Sequence, residues 1–349
     1  MPPRVLPRVA GALTRGPEIT QSIVTEWTLR AETERGRAVR SKDGLPGRSG
    51  PHMKGAFMRS IILAAGRFDE ALRADIAKKR EPRLDIFELE RELNARVIDF
   101  QDVERSRDPL VKLVARTAGK SAAVALLGFR ERANCDAYFT TGEDIGLPLS
   151  VLLKPTGARC SHTMIVHTLF PAKKQAFFKI GRVGKAFDRI LLYSTSEERL
   201  AIDQLGVPAD RVQRIYYHAD QQFFCPDGRA TEPDLICAAG QLLRDYDTLV
   251  DAIEGLPVRL QIAAGSPWIE RPLQPKRTLP GNVTWGRLGR YELRELYARS
   301  AISVVPILHN GCRYSKQKHG RKCRDICMRY VQWIHSIYPH QCGCSVTNY

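Results

Sequence analysis

Between residues 60 and 305, short apolar runs alternate with stretches of helical periodicity, and the alternation runs through twice. Ile61-Ile62-Leu63-Ala64-Ala65-Gly66 reads as a buried strand ending in a glycine turn. A helix over 86–93 and a short strand over 97–100 follow, then one long helix over 110–129. Ala137-Tyr138-Phe139 is strand-like and ends in Thr140-Thr141-Gly142. A helix over 147–153, a strand at Met164-Ile165-Val166-His167, a helix over 177–187, a strand over 190–193 and a helix over 197–205 complete the first series. A polar stretch with Pro and Gly at 226–233 interrupts the pattern, which restarts with strands over 235–239, 259–263, 283–285 and 301–305 and helices over 248–253 and 291–299. Strands that alternate with helices build parallel sheets covered on both faces. The expected fold class is therefore α/β, with two Rossmann-like, doubly wound domains. Ligands of such sheets bind at the carboxyl ends of the strands, and two such domains make the cleft between them the natural site.

The expected domains are 58–230 and 231–310, the second incomplete, flanked by a disordered leader over 1–57 and an unrelated Cys-rich tail over 311–349. The grammar stops after Pro306, and no Glu follows Glu295. Net charge is +16, but residues 58–310 contribute only +5 of it, so a nucleic-acid partner would rest mainly on the ends and none is expected. No apolar run approaches the ~20 residues of a membrane-spanning helix. No apolar stretch follows Arg4 and Arg8 as a secretory signal requires. Cys135, Cys160, Cys225 and Cys237 read as reduced, buried cysteines, which agrees with a cytoplasmic protein.

Three blocks in register resemble glycosyltransferase family 4. The first is Asp136-Ala137-Tyr138-Phe139 through Leu153, with Ile165-Val166-His167-Thr168. The second runs from Phe187-Asp188-Arg189-Ile190 and Ser194 through Leu205-Gly206-Val207-Pro208-Ala209-Asp210-Arg211-Val212 to His218-Ala219-Asp220 and Phe224-Cys225-Pro226. The third is Ala239-Gly240-Gln241-Leu242-Leu243-Arg244-Asp245-Tyr246, continued by Ile262-Ala263-Ala264-Gly265-Ser266-Pro267 and Glu295-Leu296-Tyr297-Ala298. The resemblance covers roughly 58–310. It implies the GT-B fold and transfer of a sugar, with retention, from a nucleoside-diphosphate sugar to a saccharide or lipid-linked acceptor. It implies no metal and no cofactor beyond that donor.

By the same resemblance Arg244 would pair with the donor phosphates, where a guanidinium fork suits bidentate contact, and Gly240 would let the backbone approach them. His167 would contact the donor sugar or the reacting centre, with His162 and His218 as weaker candidates. Gly66 would be the turn on which the donor packs. Glu143 and Asp144 would face the acceptor, or else be solvated loop carboxylates. Arg244 has the alternative of a solvated loop cation, His167 of a satisfied core or turn histidine, and Gly66 of an ordinary strand-ending turn. The family's glutamate-bearing segment after the strand that here ends at Pro306 has no counterpart in Ile307-Leu308-His309-Asn310 or beyond. That departure leaves a non-catalytic remnant as the alternative function, with a basic nucleic-acid- or zinc-binding protein behind it.

Other signals point elsewhere. Gly119-Lys120-Ser121 lacks the first glycine of a phosphate loop and does not follow a strand. Asp245-Tyr246-Asp247 reads as a solvated turn rather than a metal site. In the tail, Cys342 and Cys344 stand too close to complete a zinc site with Cys323 and Cys327. Residues 171–187 interleave Lys173, Lys174, Lys179, Arg182 and Lys185 with Phe177, Phe178, Ile180, Val183 and Phe187. That pattern fits either peripheral contact with an anionic membrane or a helix packed on the sheet with a basic outer face.

Overall fold

The structure, a computed structural model, describes residues 58–157, 160–216, 219–225, 227–265 and 273–308. The expected leader 1–57, the tail 311–349 with its cysteines, His218, Ser266, Pro267, His309 and Asn310 lie outside the described residues. Contacts divide the described chain into two units, 58–70 with 84–219 and 71–83 with 220–308. The segment 71–83, which the expected boundaries assign to the first domain, groups with the second unit. Arg83 there pairs with Asp220 at 2.9 Å, and Arg290 pairs with Glu81.

The elements of the first half are β1 (Ser60–Leu63), α1 (Glu70–Ala77), α2 (Asp85–Glu92), β2 (Arg96–Ile98), α3 (Phe100–Arg105), α4 (Pro109–Thr117), α5 (Lys120–Arg130), β3 (Ala137–Thr140), α6 (Glu143–Leu153), β4 (Ser161–Val166), α7 (Ala172–Lys179), β5 (Arg189–Leu192), α8 (Thr195–Arg199) and β6 (Val212–Arg214). Six strands form one wholly parallel sheet in the order β2-β1-β3-β4-β5-β6. β1 and β3 are buried at every position, as a parallel sheet with helices on both faces requires. One face packs Leu63, Ile98, Val111, Tyr138 and Leu149, and the other packs Ile62, Ile86, Leu89, Phe139 and Leu191.

The second half holds β7 (Glu232–Ala239), α9 (Tyr246–Ile253), β8 (Arg259–Ala263), β9 (Val283–Gly286), α10 (Arg290–Arg299) and β10 (Ser300–Val304). Its four described strands form a second parallel sheet in the order β10-β7-β8-β9. Ala238, Leu249, Val250, Leu260 and Ile262 form one core, and Leu235, Cys237, Ala263 and Leu296 the other. The fold class is thus α/β with two parallel sheets.

Several local expectations need correction. The helix expected over 110–129 is two helices, because Gly119 at φ 92° adopts backbone that other residues disfavour. Lys120, at that break, pairs with Glu104 at 2.8 Å. The helix expected over 177–187 is α7, which ends at Lys179; Phe178, Val183 and Phe187 are buried in the sheet's core. A continuous basic amphipathic helix over 171–187 therefore does not exist. The helix expected over 197–205 is α8 followed by a π-turn over Leu200–Gln204. Phe100 starts α3, capped reciprocally by Asp99 and Asp102, instead of ending a strand. Of the four central cysteines, Cys135 and Cys237 are buried, Cys160 is half-buried and Cys225 is exposed.

His162 lies wholly inside the first unit. Its ring packs 4.8 Å from Phe187 and 6.3 Å from Tyr138, and Nε2 meets Thr140 Oγ1 at 3.2 Å. It is a core histidine and not a ligand-facing one. Burial pushes its pKa down to about 3. The neutral ring is thus favoured in the folded state, while the unfolded chain takes up a proton near pH 6.5. Stability contributed by the neutral ring is fully present above pH 6.5 and is lost as pH falls towards 3, by at most ~1.4 kcal/mol per pH unit. Denaturant titrations between pH 7 and 4 should show this slope, and His162→Gln should flatten it. An equal slope in the variant would assign it to other groups.

Candidate functional site

In each sheet the strand order reverses beside the first strand, and that reversal opens a crevice at the carboxyl edge. In the first unit it falls between β1 and β3. The strand exits are held together there: Thr141 N–H donates to Leu63 O at 3.0 Å, and Ala65 N–H to Thr141 Oγ1 at 3.2 Å. Gly66 follows β1 at this point, and a Cβ on it would lie 2.9 Å from the Phe68 ring. It is a packed turn, tied further by Phe100 N–H to Gly66 O at 3.0 Å.

Helix α6 leaves β3 at the same edge. Gly146 lets it sit close on the sheet, since a Cβ there would be 2.5 Å from Met164 Sδ and 2.7 Å from Thr140 Oγ1. This close approach brings Glu143, the first residue of α6, to the end of β4. Glu143 is 2% exposed, so the solvated-loop reading fails for it. Its Oε2 accepts from His167 N at 2.9 Å, and Oε1 pairs with Lys174 Nζ. A carboxylate at a helix N-terminus is also favoured by the helix dipole. Asp144, likewise in the first helical turn and not in a loop, is exposed and 3.4 Å from Lys174.

His167 lies just past β4. Its Nε2 is 3.0 Å from Thr141 O. A carbonyl only accepts, so Nε2 is the nitrogen that donates in this contact. The ring stacks on Tyr193 at 5.9 Å and 24°. On the far side, Glu197 of α8 is 4% exposed and its Oε1 accepts from Leu169 N at 3.0 Å. Burial raises the Glu197 pKa, and nearby Glu143 adds to the rise, against the pull of Leu169 N–H, the Thr168 hydroxyl and His167. Burial alone would lower the Lys174 pKa, but the hydrogen bond and charge of Glu143, then Asp144, lift it above the ordinary value.

The second unit repeats the arrangement between β7 and β10. Gly240 follows β7 at φ 102°, and a Cβ there would stand 2.9 Å from Arg244 Nη2. Arg244 folds over that glycine, giving Nε to Ala239 O at 3.2 Å and Nη1 to Leu242 O at 2.8 Å. Tyr246 Oη donates to Gly240 O at 2.6 Å, and burial lifts its pKa to about 12, so it donates at neutral pH. Asp245 N–H to Pro306 O and Leu308 N–H to Leu243 O, both 2.9 Å, join this loop to the exit of β10. Asp245 caps α9 through Thr248, and Asp247 pairs with Lys276 at 2.8 Å, so Asp245-Tyr246-Asp247 serves the helix start.

Gly66, Glu143, Asp144 and His167 thus share the carboxyl edge of one sheet, and Gly240 and Arg244 that of the other. Sequence reading missed Lys174, Tyr193, Glu197 and Tyr246. Two signals were available. Lys174 sits in the first turn of α7, where a cation opposes the helix dipole and needs a partner. Ser194-Thr195-Ser196-Glu197 has capping-box spacing.

No protein-family model matches the chain, and no curated protein matches its sequence. Solved structures similar to it include sucrose-phosphate synthase from Thermosynechococcus elongatus, with 13% identity, 72% of this chain and 76% of that chain covered, and a TM-score of 0.47. Anabaena Alr3699/HepE in complex with UDP and glucose is similar at 14% identity, with 72% and 74% covered and a TM-score of 0.44. The lipopolysaccharide outer core galactosyltransferase WaaB is similar at 12% identity, with 71% and 74% covered and a TM-score of 0.40.

Removing Lys174 leaves Glu143 buried beside a single N–H donor. Lys174→Met should destabilise the protein by roughly 3 kcal/mol, the lower end for breaking a buried pair. Lys174→Met with Glu143→Gln should recover most of that loss. Chemical denaturation of the three proteins measures both effects; a Lys174→Met variant as stable as the parent would show that the pair is not what holds Glu143.

Proposed function

We propose that the chain is a retaining glycosyltransferase of family 4 that uses a nucleoside-diphosphate sugar. The observation that carries the reading is the loop after β7. Gly240 at positive φ brings backbone to the carboxyl edge, and Arg244 lies across it at the reversal of strand order. A guanidinium has five N–H donors, so two bonds to loop carbonyls leave the fork able to take a phosphate. Charge developing on a departing diphosphate needs fixed cations, and Arg244 is the cation this loop supplies. His167 and Gly66 serve the donor sugar or reacting centre, Glu143 holds that edge, and Asp144 faces the acceptor. No metal takes part.

The acceptor is a saccharide or lipid-linked saccharide of surface polysaccharide or glycolipid synthesis, and the enzyme works in the cytoplasm. Peripheral contact with anionic membranes runs through 171–187, where Ile180 is exposed beside Lys173, Lys179, Arg182 and Lys185 and Phe170 is exposed just before it. Among the described residues no helix is long and apolar enough to cross a membrane.

A second reading, a protein that binds nucleotide without turnover, is favoured by the lack of Glu over residues 296–349. Calorimetry with UDP, ADP and GDP, and turnover of their glucose derivatives, separates the two. At least one diphosphate should bind, equally well with EDTA. Arg244→Ala should weaken that binding by about 10- to 100-fold, the worth of a charge-assisted hydrogen bond of ~1.5–3 kcal/mol. Binding without turnover supports the second reading, and unchanged affinity in Arg244→Ala refutes the phosphate role. Vesicles with anionic lipid should pull the protein down in low salt, and Ile180→Asp should reduce this; no salt-sensitive binding would end the membrane reading.

A further inference from the structure

Two buried carboxylates converge on the segment that leaves β4, one from each neighbouring strand's helix. Glu143 starts the helix after β3 and accepts from His167 N at 2.9 Å. Glu197 lies in the helix after β5 and accepts from Leu169 N at 3.0 Å and from the Thr168 hydroxyl. Three consecutive residues, 167–169, are thereby held from both sides. A carboxylate buried to a few per cent is expensive unless its oxygens accept strong hydrogen bonds, and here the donors come from this one segment and Lys174.

The local geometry of Glu197 sharpens the point. Ser194 caps α8 by accepting from Glu197 N at 3.2 Å, which is half of a capping box. The other half would turn the Glu197 carboxylate back to Ser194 N–H. Instead it reaches across to the neighbouring strand's exit. The consequence falls on His167. With its backbone fixed, the ring lies against Tyr193 and gives Nε2–H to Thr141 O.

We propose that Glu197, acting with Glu143, is a positioning residue that fixes the 167–169 segment and so sets the tautomer and orientation of His167. The role rests on the reading of His167 as a residue of the reacting site. It places Glu197 in that function although its carboxylate touches neither reactant.

The test uses the whole chain and the variants Glu197→Gln, Glu197→Ala, His167→Ala and the double variant Glu197→Ala/His167→Ala. Amide exchange and imidazole ¹⁵N shifts are followed by NMR. In Glu197→Ala the Leu169 amide should exchange about tenfold faster, the loss expected for one hydrogen bond, and the His167 ring should no longer be purely Nε2–H. Glu197→Gln, which keeps an acceptor oxygen, should restore both. With UDP-glucose as probe, kcat should fall in Glu197→Ala with KM little changed, and Glu197→Ala should cost nothing further in the His167→Ala background. Unchanged Leu169 exchange and ring tautomer in a folded Glu197→Ala protein would overturn the proposal, as would additive losses of kcat. If the parent protein turns over none of UDP-, ADP- and GDP-glucose, the functional reading fails, and exchange and tautomer still decide the positioning role.

Discussion

Both sheets depend on one topological constraint: the chain lays its first strand in the interior and then builds to either side of it. In the first unit β2 goes to one side of β1 and β3 to β6 to the other; in the second β10 and β8 flank β7. Loops leaving the two sides of such a strand diverge, and the gap must be closed by specific hydrogen bonds or filled by a ligand. Thr141 closes it in the first unit, through its N–H and hydroxyl. Main-chain bonds from Asp245 and Leu308 close it in the second. The charged and glycine residues of the candidate site stand on these closures.

The two edges are built differently. In the first unit, Glu143, Lys174 and Glu197 hold the segment of a histidine whose Nε2 donates to the Thr141 carbonyl. In the second, the Arg244 guanidinium rests on a glycine turn and on the carbonyls of Ala239 and Leu242.

Much of the fold was legible in the sequence because buried parallel strands announce themselves as unbroken apolar runs: Ile61-Ile62-Leu63, Tyr138-Phe139 and Met164-Ile165-Val166 all lie in strands. Helix boundaries were less legible. Gly119 breaks an apparent helix by its backbone conformation, and 177–187 kept a helical apolar pattern although Phe178, Val183 and Phe187 reach the core partly from a turn. At the site, the glycine turn after β1 was legible at Gly66, while Gly240 came only with the family resemblance. The burial of Glu143 was hidden because it depends on Gly146, Met164 and Lys174, which come together only in three dimensions. Grouping of 71–83 with the second unit was equally hidden, since it rests on long-range pairs such as Arg83 with Asp220.

The central claim is that the turn at Gly240–Arg244 receives the diphosphate of a nucleotide sugar. Backbone amide shifts recorded while UDP-glucose is titrated in test it most directly. The account predicts the largest perturbations at Gly240, Leu242 and Arg244, abolished by Arg244→Ala. Saturable binding whose perturbations avoid this turn would contradict it.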